Sequence, residues 1–238
     1  MSFIAIRSLP LGSKSKEAWR EAGAVYLKRG SSEERILNIA ERVEAEFILN
    51  LGRTSFRPMM ELTNIPIWNF GTDIYSLLWP GHTREILGDL MPLRPTIFPA
   101  LVWVKAPGYG GRGKYMEEIA SPLVLPHQWD WQEHVEGQEW RLITVGQRVV
   151  QDMKRFGENG ERTYEWVPMA DTPSAIKDLA REAASRMEGN NVIAWDMILT
   201  NGGRALLFEG NTCPGVNTAT AARIHTEITR QQEERMNA

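Results

Sequence analysis

The sequence predicts an α+β protein, built mostly of antiparallel hairpins, with a small α/β unit at its start. Three observations predict it. Short apolar runs at Phe3–Arg7, Phe47–Leu51 and Ile65–Trp68 read as strands, with a helical pattern between the first two. Two later pairs of strand-like segments are joined by the turn dipeptides Gly146-Gln147 and Asn201-Gly202. One amphipathic helix, about 173–188, lies between those hairpins.

In the first unit, Ser31-Ser32-Glu33-Glu34 is a helix start, and Ile36, Leu37, Ile39, Ala40, Val43 and Glu44 follow at near-helical spacing. Residues 80–99 are proline-rich and hold a short helical candidate, Thr83–Leu90. Leu101–Lys105 is a strand that runs into a glycine-rich segment, Ala106–Lys114, and Asp130–Val135 is another short strand. Glu139–Val145 pairs with Arg148–Arg155 across a type II′ turn, and Val192–Thr200 with Gly203–Glu209 across a type I′ turn. The helix between them is expected to be capped by Thr172, with Pro173 first and Gly189 at its end. Gln231–Arg235 reads as a frayed helix end.

A chain of 238 residues buries roughly 70–75% of its unfolded surface and forms one large domain or two small ones. A formal net charge of −3 gives no support for nucleic-acid binding. The single cysteine, Cys213, cannot form an internal disulfide, and with no histidine near in sequence it reads as a small structural residue rather than a nucleophile. The first residues lack the charged start and long apolar core of a secretory signal, and no stretch approaches the ~20 apolar residues of a membrane span. The expectation is a soluble cytoplasmic protein with neither nucleic acid nor membrane as partner. A homodimer is compatible with that reading.

Gly108–Lys114 matches two phosphate-binding patterns and satisfies neither. The Walker pattern needs a small hydroxyl after its lysine, and the chain has Tyr115. The dinucleotide pattern needs a helix opening at the loop, and Lys114–Pro122 offers only a few helical residues. What remains is either a glycine-rich hairpin or lid whose backbone N–H groups can approach phosphate, with Lys105 or Lys114 adding charge, or a surface turn with no ligand.

The second hairpin is the more telling. A two-residue turn sets Asp196 opposite Leu207, with Glu209 and Asn211 following on the same face. Diagonal neighbours lie ~7–8 Å apart, so three oxygen donors converge. Two carboxylates that close repel unless a cation or proton separates them, and such donors suit Mg²⁺ beside phosphate; the alternative is a solvated polar face of an edge hairpin. In the first hairpin the same reasoning sets Glu139 opposite Lys154 and Arg141 opposite Asp152. That face is either a ladder of surface ion pairs or a cleft wall with Arg141 and Lys154 or Arg155 aimed at phosphate.

Four segments in order, LVWVKAPGYGGRGK (101–114), WQEHVEGQEWRLITVGQRVV (131–150), VIAWDMIL (192–199) and LLFEGNTCPGVN (206–217), resemble the ATP-grasp superfamily. Within it they are most similar to the amino-acid ligases that extend ribosomal-protein tails with glutamate. The resemblance implies two α+β lobes clamping ATP after a small α/β domain: 1–75 the leading domain, 76–133 the first lobe, 134–238 the second. It implies that Lys105 contacts the nucleotide phosphates and that Gly110, Gly111 and Gly113 belong to a loop closing over them. Gln132, Glu133, His134 and Val135 would form the interlobe segment, with Glu133 and Val135 meeting adenine through backbone groups. Glu139 would hold the ribose and Arg141 face the transferred phosphate, with Lys105 and Arg141 balancing its charge; Arg155, from the first hairpin, is a further catalytic candidate. Asp196, Glu209 and Asn211 would ligate Mg²⁺, or Mn²⁺. The family's other lysine, upstream of the strand lysine, has no counterpart; Arg84 is the nearest substitute. Asn217, Thr218 and Arg223 are placed to touch substrate.

The activity so implied is an ATP-dependent ligase that joins a small-molecule or peptide carboxylate to an amine through an acylphosphate. A phosphotransferase on the same fold and a non-catalytic ATP-binding module are the alternatives.

Overall fold

The computed structural model describes residues 2–7, 13–27, 31–51, 64–70, 77, 79–106, 114–158 and 161–237. The first sheet is parallel, in the order β2-β1-β3-β4, from β1 (Phe3–Arg7), β2 (Ala24–Leu27), β3 (Ile48–Leu51) and β4 (Ile67–Trp68). Parallel neighbours need crossovers, which α1 (Ser13–Glu21) and α2 (Glu33–Arg42) supply. All four residues of β3 are buried, which is why Ile48, Leu49 and Leu51 do not alternate with exposed polar residues; the one polar member, Asn50, is buried and donates to the Asn69 carbonyl at 2.9 Å. Ser32 caps α2 by accepting from the Arg35 N–H at 3.2 Å. The pattern along the sequence missed α1 and β2. Helix α1 carries only Ala18 and Trp19 as buried apolar side chains, too few to show a period.

The second sheet is antiparallel, in the order β6-β5-β7, from β5 (Ala100–Lys105), β6 (Lys114–Ile119) and β7 (Asp130–Glu133). Helix α3 (Pro80–Leu87) and one 3₁₀ turn (Gly88–Leu90) precede it. The few helical residues expected after the glycines are instead β6, whose central side chains are exposed and so carry no one-sided pattern. Lys105 pairs with Lys114, so β5 and β6 form a hairpin rather than a loop leading into a helix. Residues 107–113, which include Gly110, Gly111 and Gly113, lie outside the described residues.

The third sheet is antiparallel, in the order β10-β9-β8-β11-β12, from β8 (Gly137–Val145), β9 (Arg148–Glu158), β10 (Glu161–Trp166), β11 (Val192–Thr200) and β12 (Ala205–Asn211). Helix α4 (Ser174–Ser185) buries Ile176, Leu179, Ala180 and Ala183 against Leu142, Ile193, Trp195 and Met197 on one face. On the other face Ile143, Val145, Val192 and Ala194 share a core with Phe3 and Trp68 of the parallel sheet, with Phe47 just before β3, and with Ile224 and Ile228 of α5 (Thr218–Met236). Asn69 fastens that junction. It is fully buried at φ 59, a left-handed conformation that asparagine tolerates. Its amide donates to the carbonyls of Val192 and Thr212, and its Oδ1 accepts from the Val192 N–H.

Two helix ends differ from expectation. Helix α4 starts one residue late, with Pro173 rather than Thr172 at the cap and the Pro173 carbonyl accepting from Ile176 and Lys177. It ends at Ser185, and Gly189 turns the chain only beyond it, at φ 76. Residues Gln231–Arg235 are ordinary turns of α5, and Gln231 donates to the Val145 carbonyl at 2.8 Å.

The registers of both hairpins differ as well. The second hairpin turns through three residues, with Gly203 at φ 79, and the Thr200 N–H donates to the Arg204 carbonyl. This is the three-residue loop that ends on a left-handed glycine, not the two-residue turn. A bulge at Phe208 then shifts the pairing once more. Each one-residue shift alone would turn the strand over. Together they restore the faces but change the partner, so Asp196 stands opposite Glu209, while Leu207 pairs with Met197 on the other face. In the first hairpin a bulge at Val150 sets Arg141 opposite Met153 and Trp140 opposite Lys154. The expected pairings of Arg141 with Asp152 and of Glu139 with Lys154 do not form.

Candidate nucleotide and metal site

Arg141 on β8, Asp196 on β11 and Glu209 on β12 lie in one row across three adjacent strands. Arg141 grips Asp196 with two donors, Nε to Oδ1 and NH2 to Oδ2, each at 2.6 Å. Asn211, opposite Ala194, follows Glu209 by two residues and shares its face. Its Oδ1 accepts from the Cys213 N–H at 2.8 Å, which orients the amide. The side chains of Asp196 and Glu209 remain 15% and 34% exposed, so the row opens outward.

Lys105, at the end of β5, reaches this row from the second sheet. It is buried, and its Nζ donates to Gln132 Oε1 and to the Phe208 carbonyl, both at 2.8 Å. Phe208 is the bulge residue. A bulge leaves its extra residue out of the ladder, and here Lys105 takes the carbonyl so released. Lys114, the partner of Lys105 across the hairpin, forms an ion pair with Glu209. Burial lowers the Lys105 ammonium to about 8, helped by Lys114 and Arg84 and opposed by Glu209 and Asp130. Burial pushes the Asp196 carboxyl above its ordinary range despite Arg141, and Glu209 adds to that push. Glu209 feels the same burial, but Lys114 and Lys105 outweigh it and hold the carboxyl below its ordinary range.

Arg84 stands beside Lys105. From α3 its Nε donates to Asp130 Oδ1 at 2.6 Å, its NH2 donates to the Pro92 carbonyl at 3.1 Å, and that NH2 lies 3.5 Å from Gln132 Oε1. Asp130, fully buried, also holds Arg94 at 3.2 Å. Gln132 thus joins the two cations through one oxygen.

No family model matches the sequence, and no curated protein matches it. Solved structures do match. D-alanine–D-alanine ligase from Bacillus anthracis, complexed with ATP, superposes with a TM-score of 0.63 at 12% identity over 98% of this chain and 99% of that one. N5-carboxyaminoimidazole synthetase from Staphylococcus aureus, complexed with ADP, gives 0.65 at 12% identity over 92% and 72%. The biotin carboxylase–βγ-ATP complex from Campylobacter jejuni gives 0.59 at 12% identity over 95% and 70%. The chain has the ATP-grasp fold.

On this ATP-grasp scaffold the other expected residues take the following places. Glu133 gives its N–H to the Leu93 carbonyl and His134 gives its N–H to the Leu101 carbonyl, each at 2.9 Å. The His134 ring accepts from the Trp103 indole N–H at 3.1 Å, and Val135 is half-buried beside it. Glu139 is half-buried on β8, two residues before Arg141 and on its face. Arg155 stands on β9 opposite Tyr164. Asn217 caps α5 through the Thr220 N–H, and Thr218 donates to Glu21 of α1, so both have structural partners. Arg223 is exposed.

The donors of the Asp196 row fit a divalent metal. Two carboxylates and an amide oxygen on one open face are oxygen ligands of the kind Mg²⁺ and Mn²⁺ take. Asn211 Oδ1 keeps a lone pair beyond its bond to Cys213. Burial of Asp196 beside a second acid is a cost that a cation relieves. The sequence reading passed over Asp130 and the Phe208 carbonyl. An isolated aspartate at a strand start gives no signal that two arginines converge on it, and a carbonyl freed by a bulge gives none at all.

Proposed function

We propose that this chain is an ATP-dependent carboxylate–amine ligase. The observation that carries the reading is the row of Arg141, Asp196 and Glu209 across three strands, met from the other sheet by Lys105. Residues 1–75 are the leading domain, and 76–133 and 134–238 the two lobes. Asp196, Glu209 and Asn211 would hold Mg²⁺ or Mn²⁺, which when bound neutralises phosphate charge. Lys105 and Arg84 bind phosphate oxygens, and Arg141 faces the phosphoryl group in transfer, with Arg155 proposed as a further cation for it. Glu139 takes the ribose, and the Gln132–Val135 segment the adenine.

The substrate carboxylate attacks the γ-phosphorus as the bond to the β–γ bridging oxygen breaks, giving ADP and an acylphosphate. The amine nitrogen then attacks the acyl carbon, phosphate leaves, and the nitrogen loses its proton. The protein supplies position and charge balance rather than a covalent partner. The substrates proposed are amino acids or peptides, as for the tail-extending glutamate ligases that the sequence resembles. ATP-coupled chemistry on such substrates fits a cytoplasmic setting.

The test is phosphate release by purified protein with ATP, Mg²⁺ and mixtures of amino acids, peptides and polyamines, with mass spectrometry for an amide. An amide product with one phosphate per turnover is expected. ADP with a phosphorylated product and no free phosphate would make the chain a kinase. Full ATP consumption by both Asp196→Asn and Glu209→Gln would overturn the metal assignment.

A further inference from the structure

Away from the Asp196 row, α3 sets His82 and Glu85 one turn apart on one face. The connection between β6 and β7 brings His127 against them. His82 Nε2 lies 3.3 Å from His127 Nδ1, and His127 Nε2 lies 2.9 Å from Glu85 Oε1. The three residues each offer a ligand atom within 4.8 Å of the others.

The main chain fixes this arrangement. The Gly81 N–H donates to the Gln128 carbonyl at 3.1 Å, and a Cβ at position 81 would come within 2.0 Å of the His127 carbonyl oxygen. Only glycine lets the helix and the connection approach so closely, and that approach delivers His127 to the helix face.

Two imidazoles and a carboxylate are ligands for Zn²⁺. Bonds of ~2.0–2.1 Å in a tetrahedral site put ligand atoms roughly 3.3 Å apart, the separation of His82 Nε2 and His127 Nδ1 here; Glu85 now pairs with the opposite nitrogen of His127, and on binding its exposed carboxylate would leave that nitrogen for the ion. Mg²⁺ favours oxygen donors, so this cluster selects a different ion from the Asp196 row. We infer that His82, Glu85 and His127 form a Zn²⁺ site with its fourth position open to water. The site has a structural consequence. Arg84 lies between His82 and Glu85, and Asp130, which Arg84 grips, lies three residues after His127. Zn²⁺ would fasten together the two elements that hold Arg84 beside Lys105.

The test is a calorimetric titration of the full chain with Zn²⁺ under excess Mg²⁺, which occupies oxygen-donor sites. One Zn²⁺ per chain is expected, weakened at least tenfold by His82→Ala and by His127→Ala, and less by Glu85→Gln. Thermal melts check that the variants fold. His127 is 71% exposed, so His127→Gln keeps the test available should His82→Ala unfold. Absence of saturable Zn²⁺ binding, or unchanged binding in either folded histidine variant, overturns the site. The inference stands or falls independently of the ligase reading.

Discussion

Arg141 and Asp196 stand opposite each other on β8 and β11, and the guanidinium holds both carboxylate oxygens at 2.6 Å. On the far side of Asp196, β12 sets Glu209 in the same row. One carboxylate therefore answers to a cation on one flank and an acid on the other. The sheet fixes this triplet through backbone pairing, so each of its side chains can be altered without moving the strands that carry the others.

Arg141→Met leaves Asp196 buried and unpaired. Removing one partner of a buried pair costs ~3–5 kcal/mol, and with both side chains about one-sixth exposed we expect about 2–4. Urea unfolding measures it. Arg141→Met with Asp196→Asn should recover part of the loss, because no charge is then orphaned. Activity should not recover, and it should fall ~10²–10³-fold in the single variant. Arg141→Lys should stay impaired, since an ammonium cannot make the two parallel contacts.

Lys105 gives a pH dependence whose sign is set by burial. Its ammonium titrates near 8 in the folded chain and near 10.5 in the unfolded one. Between those values the unfolded chain binds the extra proton, so this group adds stability as pH rises from 8 to 10.5, up to ~3 kcal/mol. Below pH 8 both states are protonated and the burial penalty stands in full. Comparing the native chain with Lys105→Met at pH 7.5 and 9.5 isolates the effect. The native chain should gain stability relative to the variant. If Lys105 contacts nucleotide phosphate as proposed, nucleotide affinity should fall over the same interval, because the neutral amine no longer attracts the anion. If the difference in stability between the two chains is the same at both pH values, Lys105 does not titrate there.

The parts of this fold with strong local chemistry were legible in the sequence. Ser32 announced α2, the apolar residues Ile48, Leu49 and Leu51 the burial of β3, and Gly146-Gln147 and Asn201-Gly202 the two hairpins. The shared face of Asp196, Glu209 and Asn211 was legible too, though by a register that is off by two. The bulges at Val150 and Phe208 were not, because main-chain packing places an extra residue and no residue type marks it. The pairing of Lys105 with Phe208 was equally hidden. It joins residues from different sheets, 103 apart in sequence. Lys114–Ile119 misled because an exposed edge strand shows neither a strand nor a helix period.

Arg84 is tested by the split between binding and turnover. Arg84→Met leaves Asp130, fully buried, with only Arg94, whose side chain is half exposed. A stability loss of about 2–4 kcal/mol follows from leaving this buried charge with a weaker, half-exposed partner. If Arg84 also touches nucleotide phosphate, the KM for ATP should rise ~10-fold with kcat little changed, the pattern of lost ground-state binding. A chain that loses stability but keeps its KM for ATP would make Arg84 a support for Asp130 alone. Steady-state kinetics below the melting temperature separate the two.

Gly210 lies between Glu209 and Asn211, opposite Trp195. A Cβ there would meet Trp195 Cζ3 at 2.7 Å and Leu77 Cδ1 at 3.0 Å. Trp195 is fully buried, and its indole N–H is held by Thr144 at 2.9 Å, so it has little room to yield. The strain of Gly210→Ala must therefore pass into β12, displacing the residues on either side of it. We expect a cost of ~1–3 kcal/mol from overpacking together with a weaker apparent affinity for Mg²⁺, read from the Mg²⁺ dependence of ATP consumption. Gly202→Ala is the control. It lies on the same hairpin, with its nearest neighbour Thr200 Oγ1 3.8 Å away, and should change stability by less than ~0.5 kcal/mol and leave the Mg²⁺ dependence alone. A Gly210→Ala chain that is destabilised yet shows the native Mg²⁺ dependence would mean that Trp195 absorbs the strain and that Glu209 and Asn211 keep their geometry without the glycine.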